Sequence, residues 1–396
     1  MGPILRTADR LRLAQLSKNA TEGPTAGYRG EVQRVVIAGL GDTGVLTALK
    51  LARRFEVTGI SAKPGLLSGQ ELGVRVARPH EWARDYWTGF DRFRGLDRVR
   101  TVHGTLTGLD LSARTVGVDR AGTVEQVPYD ILVISTGVTN GFWRRPHLQS
   151  ADEIDADLQA VHRRLAGAKS IAVIGGGAAA VSAAANLAAA LPGAAIGLYY
   201  PGEHALPQHH RRVWQRIESR LTASGVALNP GHRAVIPENH DEITGEPVHW
   251  STGQPAVTAD AVLWAIGRVS PNTGWLPAEL LDDDGFVRVT PHLQVPGHPE
   301  VFAIGDVAAT DPLRASARSR ADGLLARNIA AHAAGKPMRA YTPPKARWGS
   351  VLGAQADGLE VFAPSGQAIR FPAWSVRNVL QPWIVKRGIY RGVRSD

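Results

Sequence analysis

The run Val35-Val36-Ile37-Ala38-Gly39-Leu40-Gly41-Asp42-Thr43-Gly44 decides the fold class. Four consecutive apolar residues without polar alternation are the pattern of a strand buried on both faces, as in parallel sheets. Gly39, Gly41 and Gly44 follow at once, and a helical pattern runs from Val45 to Arg53. At this spacing the first glycine permits a tight turn, the second lets backbone approach a pyrophosphate, and the third lets helix pack on strand. The helix N-terminus then offers unpaired amides and a favourable dipole to negative charge.

The arrangement recurs. Ser170-Ile171-Ala172-Val173-Ile174 leads into Gly175-Gly176-Gly177-Ala178-Ala179-Ala180 and a helix of small residues to about Ala190. A single glycine cluster after a strand is often only a turn; two, each preceded by a strand and followed by a helix, mark two dinucleotide-binding units. Alternating strands and helices around each argue for an α/β chain with two parallel, doubly wound sheets. Beyond about residue 336, short strands such as Val361 to Ala363 and Ala368 to Phe371 indicate a small β-rich C-terminal domain. A chain of 396 residues has room for this plan.

Composition narrows the chemistry. Hydrophobic residues at 44% and charged residues at 20% describe an ordinary globular protein, and no stretch approaches the roughly 18 apolar residues of a spanning helix. Cysteine is absent, which excludes thiol catalysis, disulfide exchange, cysteine zinc sites and cysteine-ligated iron–sulfur clusters. The net charge of +9 first suggests a polyanionic partner, but residues 1–34 carry +3 and residues 336–396 carry +7, leaving −1 for the body. Nucleic acid is therefore not an expected partner. The basic ends point instead to an anionic membrane surface or an acidic electron carrier. A cytoplasmic location with peripheral membrane contact is expected, because residues 1–34 lack the continuous apolar core of a secretion signal, and Arg6 stands where myristoylation requires Ser or Thr.

Both units lack the carboxylate that usually holds a ribose hydroxyl at the end of the second strand. In the first, Val57-Thr58-Gly59-Ile60 ends at Ser61, with Lys63 beyond; in the second, Ile196-Gly197-Leu198-Tyr199 ends at Tyr200, with His204, Arg211 and Arg212 beyond. An acid there repels a 2′-phosphate, so its absence from the second unit tilts the reading toward NADPH. Asp42 is unexpected beside a phosphate, and its side chain is expected to face solvent or cap the helix.

Further segments complete an ordered set: Tyr129-Asp130-Ile131-Leu132-Val133-Ile134-Ser135-Thr136-Gly137, then Ala261-Val262-Leu263-Trp264-Ala265-Ile266-Gly267-Arg268 with Pro271 and Asn272, then Val301-Phe302-Ala303-Ile304-Gly305-Asp306-Val307. With the two loops, this set resembles the two-dinucleotide-binding-domain flavoproteins of the pyridine nucleotide-disulfide oxidoreductase superfamily, in the branch of type II NADH dehydrogenases and ferroptosis-suppressor-like reductases. The stretch Tyr341 to Gly358 is more faintly similar to the ferroptosis-suppressor-like tail. The resemblance implies a discontinuous FAD domain over 33–147 and 259–335, an inserted NAD(P)H domain over 148–258, an N-terminal extension over 1–32 and a basic C-terminal domain over 336–396.

It also implies roles. Gly39, Gly41, Asp42, Thr43 and Gly44 would surround the FAD pyrophosphate, Ser61 and Lys63 the ribose end, and Ser135, Thr136 and Gly137 its entry. Gly305 and Asp306 would meet the ribityl chain; alone, Asp306 reads equally as a helix N-cap before Val307. Gly175, Gly176, Gly177, Ala178, Ala180, Tyr200 and Gly267 would serve NAD(P)H. Ser182 stands where relatives place a Glu near the nicotinamide, and Arg314 where quinone-reducing relatives carry a Lys near the flavin. Arg314 is the catalytic candidate, although arginine cannot deliver a proton at neutral pH.

The implied activity is hydride transfer from NAD(P)H to FAD and electron transfer onward to a quinone-like acceptor. A ferredoxin-type carrier, a dedicated biosynthetic substrate, or NAD(P)H sensing without turnover stay open as alternatives. Three other features have two readings each. His204, His209 and His210 read as a surface loop without metal, since adjacent histidines diverge and no acid completes the set. Trp82, Trp87 and Trp143 form either a wall above the flavin or part of the core. Val376, Val379, Leu380, Trp383 and Ile384 fall at helical spacing among Arg377, Lys386, Arg387, Arg391 and Arg394, facing either the body or a lipid surface, with Pro382 starting or kinking the helix.

Overall fold

The computed structural model describes residues 32–67, 72–141, 145–267, 269–311, 321–344 and 348–394. The expected N-terminal extension lies outside them, and from Gln33 onward the chain clusters as one unit. Strand β1 (Arg34–Ala38) leads into helix α1 (Asp42–Leu51), and β2 (Glu56–Ser61), β3 (Val99–His103) and β4 (Ile131–Ile134) follow. Val35 to Ala38 are sealed from solvent, as the unbroken apolar run predicts. β1 pairs in parallel with β2 on one side and with β4 on the other. The chain leaves β1 toward β2 and β3, then crosses back to β4. Strand order thus reverses between β1 and β4, and their carboxyl ends flank a crevice of the kind that binds ligands in open α/β sheets.

The second unit repeats this plan. Helix α2 (Ala151–Ala166) starts at a reciprocal capping box between Ser150 and Glu153. Strand β5 (Ser170–Ile174), helix α3 (Ala178–Ala190), β6 (Ala195–Tyr199), β7 (Ala227–Asn229) and β8 (Ala261–Trp264) follow, in the sheet order β7-β6-β5-β8. All three pairings are parallel, with the reversal between β5 and β8.

The chain then returns to the first sheet as β9 (Gln294–Val295) and β10 (His298–Ala303), giving the order β9-β10-β4-β1-β2-β3. β10 lies parallel to β4, but β9 pairs antiparallel with β10. The first sheet is therefore not wholly parallel: the turn through Gly297, at φ +81°, is too short for a crossover helix. The two crossings between units run side by side, with Val138 paired to Pro271 and Thr139 to Ser270.

The C-terminal region forms an antiparallel sheet of β11 (Ala354–Gln355), β12 (Gly358–Phe362) and β13 (Ala368–Phe371), so the strand expected from Val361 begins earlier. Its Glu360 is 8% exposed and accepts from Arg216 Nε at 2.5 Å and Arg370 Nε at 3.1 Å. Arg216 and Arg220, which pairs with Asp357 at 3.2 Å, belong to the helix Arg211–Ala223, so the sheet is fastened to the second unit. Val376–Ile389 winds as a π-helix around Pro382, which has no N–H to close an ordinary turn. The chain end is tied to the first unit instead, by Arg394 to Asp97 at 2.6 Å and by Arg391 Nη1 donating to Leu49 O at 2.9 Å.

Candidate functional site

A cavity of about 990 Å³ opens at the β1/β4 reversal, at the upper end of the range for small-molecule sites. Gly39, Gly41, Asp42, Thr43, Ser61, Lys63, Ser135, Thr136, Gly137, Gly305 and Asp306 all line it. These residues come from separate segments of sequence. They meet because β1, β2, β4 and β10 lie in one sheet and end at the same edge.

The glycine turn is built as the spacing requires. Gly39 sits at φ +101°, and a Cβ there would come within 2.5 Å of Ser135 O; one on Gly44 would meet Gly39 O at 2.0 Å. A Cβ on Gly41 would meet nothing within 4 Å. The first and third positions are closed by the protein, while the second faces open space that a ligand can enter. Gly41 is also the N-cap of α1 without a side-chain cap, which leaves the leading amides to an anion. Ser135 braces the turn, its Oγ donating to Gly39 O at 2.7 Å. Asp42 does not face solvent freely, one of the two positions the sequence suggested: it is half-buried, and its Oδ1 accepts from Tyr390 OH at 3.0 Å.

On the opposite wall Gly305 takes φ +88°, with its Cβ position 3.3 Å from Thr43 Oγ1. Asp306 enters a turn, not a helix, so the N-cap alternative fails. Thr136 Oγ1 donates to Asn272 O at 2.9 Å, and Asn272 Nδ2 donates to Thr136 O at 3.0 Å, which locks the paired crossings. Gly137 takes φ +67° beside them.

At the β2 end, Ser61 Oγ accepts from Lys63 N at 3.1 Å. Lys63 Nζ donates to His147 O at 2.6 Å and to Gln149 Oε1. Burial pulls its pKa down to about 8, with Arg75 adding to the effect and Asp157 opposing it. Lys63 is thus a cation held at the cavity wall by neutral acceptors, poised to gain from a phosphate.

The second loop shares the design but lies outside this cavity. Gly175 sits at φ +142°, and a Cβ there would strike Ala265 O at 2.1 Å, whereas one on Gly177 would meet nothing within 4 Å. Ala178 opens α3 after the uncapped Gly177, and Ala180 is fully buried as the packing residue. Gly267 takes φ +72° with open space around it. Gly176 packs over Tyr200, its Cβ position 3.2 Å from that of Tyr200. Tyr200, expected on the NAD(P)H side, is 2% exposed, with its ring edge-on to Trp214 at 5.5 Å beneath the loop.

Ser182 has a packing reason. The helix Leu72–Ala77 crosses α3 so closely that a Cβ on Gly73 would come within 2.4 Å of Ser182 Oγ, and Ser182 Oγ donates to Leu352 O at 3.3 Å. A Glu side chain has no room there. Arg314, like Arg268 and Trp143, lies outside the described residues. Trp82 is 1% exposed in a core cluster with Val74 and Leu158, and Trp87 packs against that cluster; neither lines the cavity. His210 caps the helix Arg211–Ala223, accepting from Arg212 N. Trp275, Gln149 and Arg75 also line the cavity and were not anticipated. Of these, only Trp275 had a cue, three residues after the Pro271-Asn272 pair; its Nε1 donates to Asn272 O at 3.2 Å.

The family profile of pyridine nucleotide-disulphide oxidoreductases matches residues 33–335. The chain belongs to this family. It is an oxidoreductase of an NAD(P)H-dependent flavoprotein family, and without cysteine it cannot be one of the disulfide reductases that give the family its name. Among relatives, ferroptosis suppressor protein 1 of Xenopus tropicalis is 25% identical over 328 residues, covering 79% of this chain and 84% of the relative. The type II NADH:quinone oxidoreductase Ndh of Mycobacterium tuberculosis is 25% identical over 275 residues, covering 60% and 59%. These relatives bear out the branch to which the motifs pointed. A water-forming NADH oxidase from Lactobacillus brevis, solved with NADH, superposes with a TM-score of 0.59 at 18% identity, covering 78% of this chain and 71% of the oxidase; this likeness shows the fold.

Proposed function

We propose that the β1/β4 cavity takes FAD, that the second glycine loop takes NAD(P)H with NADPH favoured, and that the electron acceptor is a quinone-type small molecule. The observation that carries the flavin assignment is the Gly41 position: open to 4 Å, between two glycines closed by backbone, at an uncapped helix N-terminus. When bound, FAD supplies the redox chemistry, accepting hydride from the pyridine nucleotide and passing electrons on. The protein positions and tunes. The amides of the Gly41 turn and the Lys63 ammonium would hold phosphate charge, Asp306 would accept a ribityl hydroxyl, and Ser135 would keep the turn in shape.

Preference for NADPH rests on the residues beyond the end of β6. No acid stands at Tyr200, and from there through Arg212 the one exposed acid, Glu203, is outnumbered by the exposed His204, Arg211 and Arg212, a balance that favours a 2′-phosphate. The quinone assignment rests on the Mycobacterium relative's described activity and on the absence of cysteine. Domain limits of 33–147 with 259–335 for FAD and 148–258 for NAD(P)H need one shift, because β8 (Ala261–Trp264) pairs with β5 in the second sheet: the NAD(P)H segment would run through Trp264, with the FAD segment resuming after it and 336–396 left as the C-terminal region.

The C-terminal face would bring the enzyme to an anionic membrane. Trp374 and Trp383 are 63% and 57% exposed, with Val379, Ile384 and Ile389 exposed beside them. Arg387 lies over the Trp383 ring at 4.9 Å, and Arg377 and Lys386 flank the same helix. A basic helix with aromatic and aliphatic exposure suits the headgroup boundary. Among the described residues no helix is long and apolar enough to cross a membrane. Steady-state rates with NADPH and NADH against a quinone and an acidic ferredoxin test these assignments: faster turnover with NADPH and quinone supports them, and turnover only with the carrier protein overturns the acceptor.

A further inference from the structure

One residue of the first glycine turn is out of keeping with phosphate binding. Asp42 occupies the first turn of α1, immediately after the uncapped Gly41, and it lines the cavity. Helix α3, behind the second loop, has no acid in its first turn. A carboxylate at a helix N-terminus occupies the same favourable field that draws a phosphate, and its charge repels that phosphate.

Tyr390 meets it from far along the chain. Its hydroxyl donates to Asp42 Oδ1 at 3.0 Å. Several contacts fix the tyrosine in place. Its ring stands edge-on to Phe93 with centroids 5.3 Å apart. Just after it, Arg391 Nη1 donates to Leu49 O at 2.9 Å and Gly392 O accepts from Arg94 N at 3.1 Å. Burial, with Asp42 nearby, pushes the phenol's pKa upward, so it stays a donor throughout the neutral range. A hydrogen bond from a neutral donor to a carboxylate satisfies one of its oxygens and fixes its orientation.

We infer that Tyr390 is a positioning residue for flavin binding: by engaging the Asp42 carboxylate it suppresses competition with the cofactor phosphates, and so makes the first loop's affinity depend on the chain's C-terminal end. The inference rests on the reading of the cavity as a flavin site and goes beyond it. This chain carries an acid in the turn, and the partner with it.

The test uses full-length protein stripped of flavin, with FAD affinity read from quenching of flavin fluorescence for wild type, Tyr390→Phe, Asp42→Asn and the double variant. Phenylalanine keeps the ring on Phe93 and removes only the hydroxyl. Losing a charge-assisted hydrogen bond should weaken FAD about tenfold in Tyr390→Phe, while the apoprotein still unfolds cooperatively with its thermal midpoint lowered by only a few degrees. The double variant should bind like Asp42→Asn alone, because without the carboxylate the hydroxyl has nothing to restrain. Wild-type affinity in Tyr390→Phe, or a double variant as weak as Tyr390→Phe, overturns the inference alone. No FAD uptake by the wild type overturns the reading of the cavity, and this inference with it.

Discussion

At the residue scale the site is a contrast between glycines that the protein fills around and glycines that it leaves open. Gly44→Ala drives a methyl into Gly39 O, a backbone atom that cannot yield without moving the turn. Gly41→Ala meets no protein atom within 4 Å. The first should lower the apoprotein's thermal midpoint and abolish flavin retention. The second should leave the midpoint unchanged while FAD affinity falls at least tenfold, because the methyl enters space the pyrophosphate needs. Lys63 adds a pH signature. With its pKa at about 8 in the apoprotein, it is protonated below that value and favours the anionic ligand there. FAD affinity should therefore fall as pH rises through about 8, and Lys63→Gln should bind more weakly with that step gone. The glycines were legible in the sequence because backbone geometry demands them. Lys63's partners were not, since His147 and Gln149 lie more than eighty residues away and reach it only through the sheet edge.

At the element scale the strand–turn–helix units could be read directly, since a run such as Val35 to Ala38 and the glycines after it admit few other structures. Asp306 shows the limit. Its residue type fits a helix N-cap as well as a ligand-facing turn, and only the turn conformation at Asp306 separates the two. The C-terminal helix shows another. Its apolar residues at helical spacing left two readings, packing on the body or facing lipid; Val376 is buried while Val379, Trp383, Ile384 and Ile389 are exposed. Pro382 widens the winding, so the stripe drawn for ordinary turns does not form one buried face. Besides the apolar packing of Val351, Leu352 and Phe362 into the second unit, the C-terminal sheet is held by Glu360 between Arg216 and Arg370, a contact with no local pattern. Glu360→Gln should cost about 1–2 kcal/mol in denaturant unfolding, modest because both arginines are substantially exposed and can return to water.

At the scale of the whole molecule, the basic charge belongs to the chain's ends, and the C-terminal end has a structural task besides. Residues 348–394 are fastened to the second unit through Glu360 and Asp357, and to the first through Tyr390, Arg391 and Arg394. The exposed tryptophans lie between those anchor points. Co-sedimentation with vesicles should therefore be strong for anionic lipid, weak for neutral lipid and reduced by high salt, and Trp383→Ala should weaken it without changing flavin content. Strand order placed the two loops at the two reversals, each where the sequence put its glycines. The acceptor had no such code: Ser182 proved to be a packing residue, and Arg314 falls outside the described residues. The most direct test of the central claim is anaerobic titration of the purified protein with NADPH while following its visible absorbance. A bound flavin whose band bleaches with about one equivalent of NADPH and returns on adding a quinone is the predicted result. A colourless protein that cannot be reconstituted with FAD, or a flavin that neither pyridine nucleotide reduces, would contradict it.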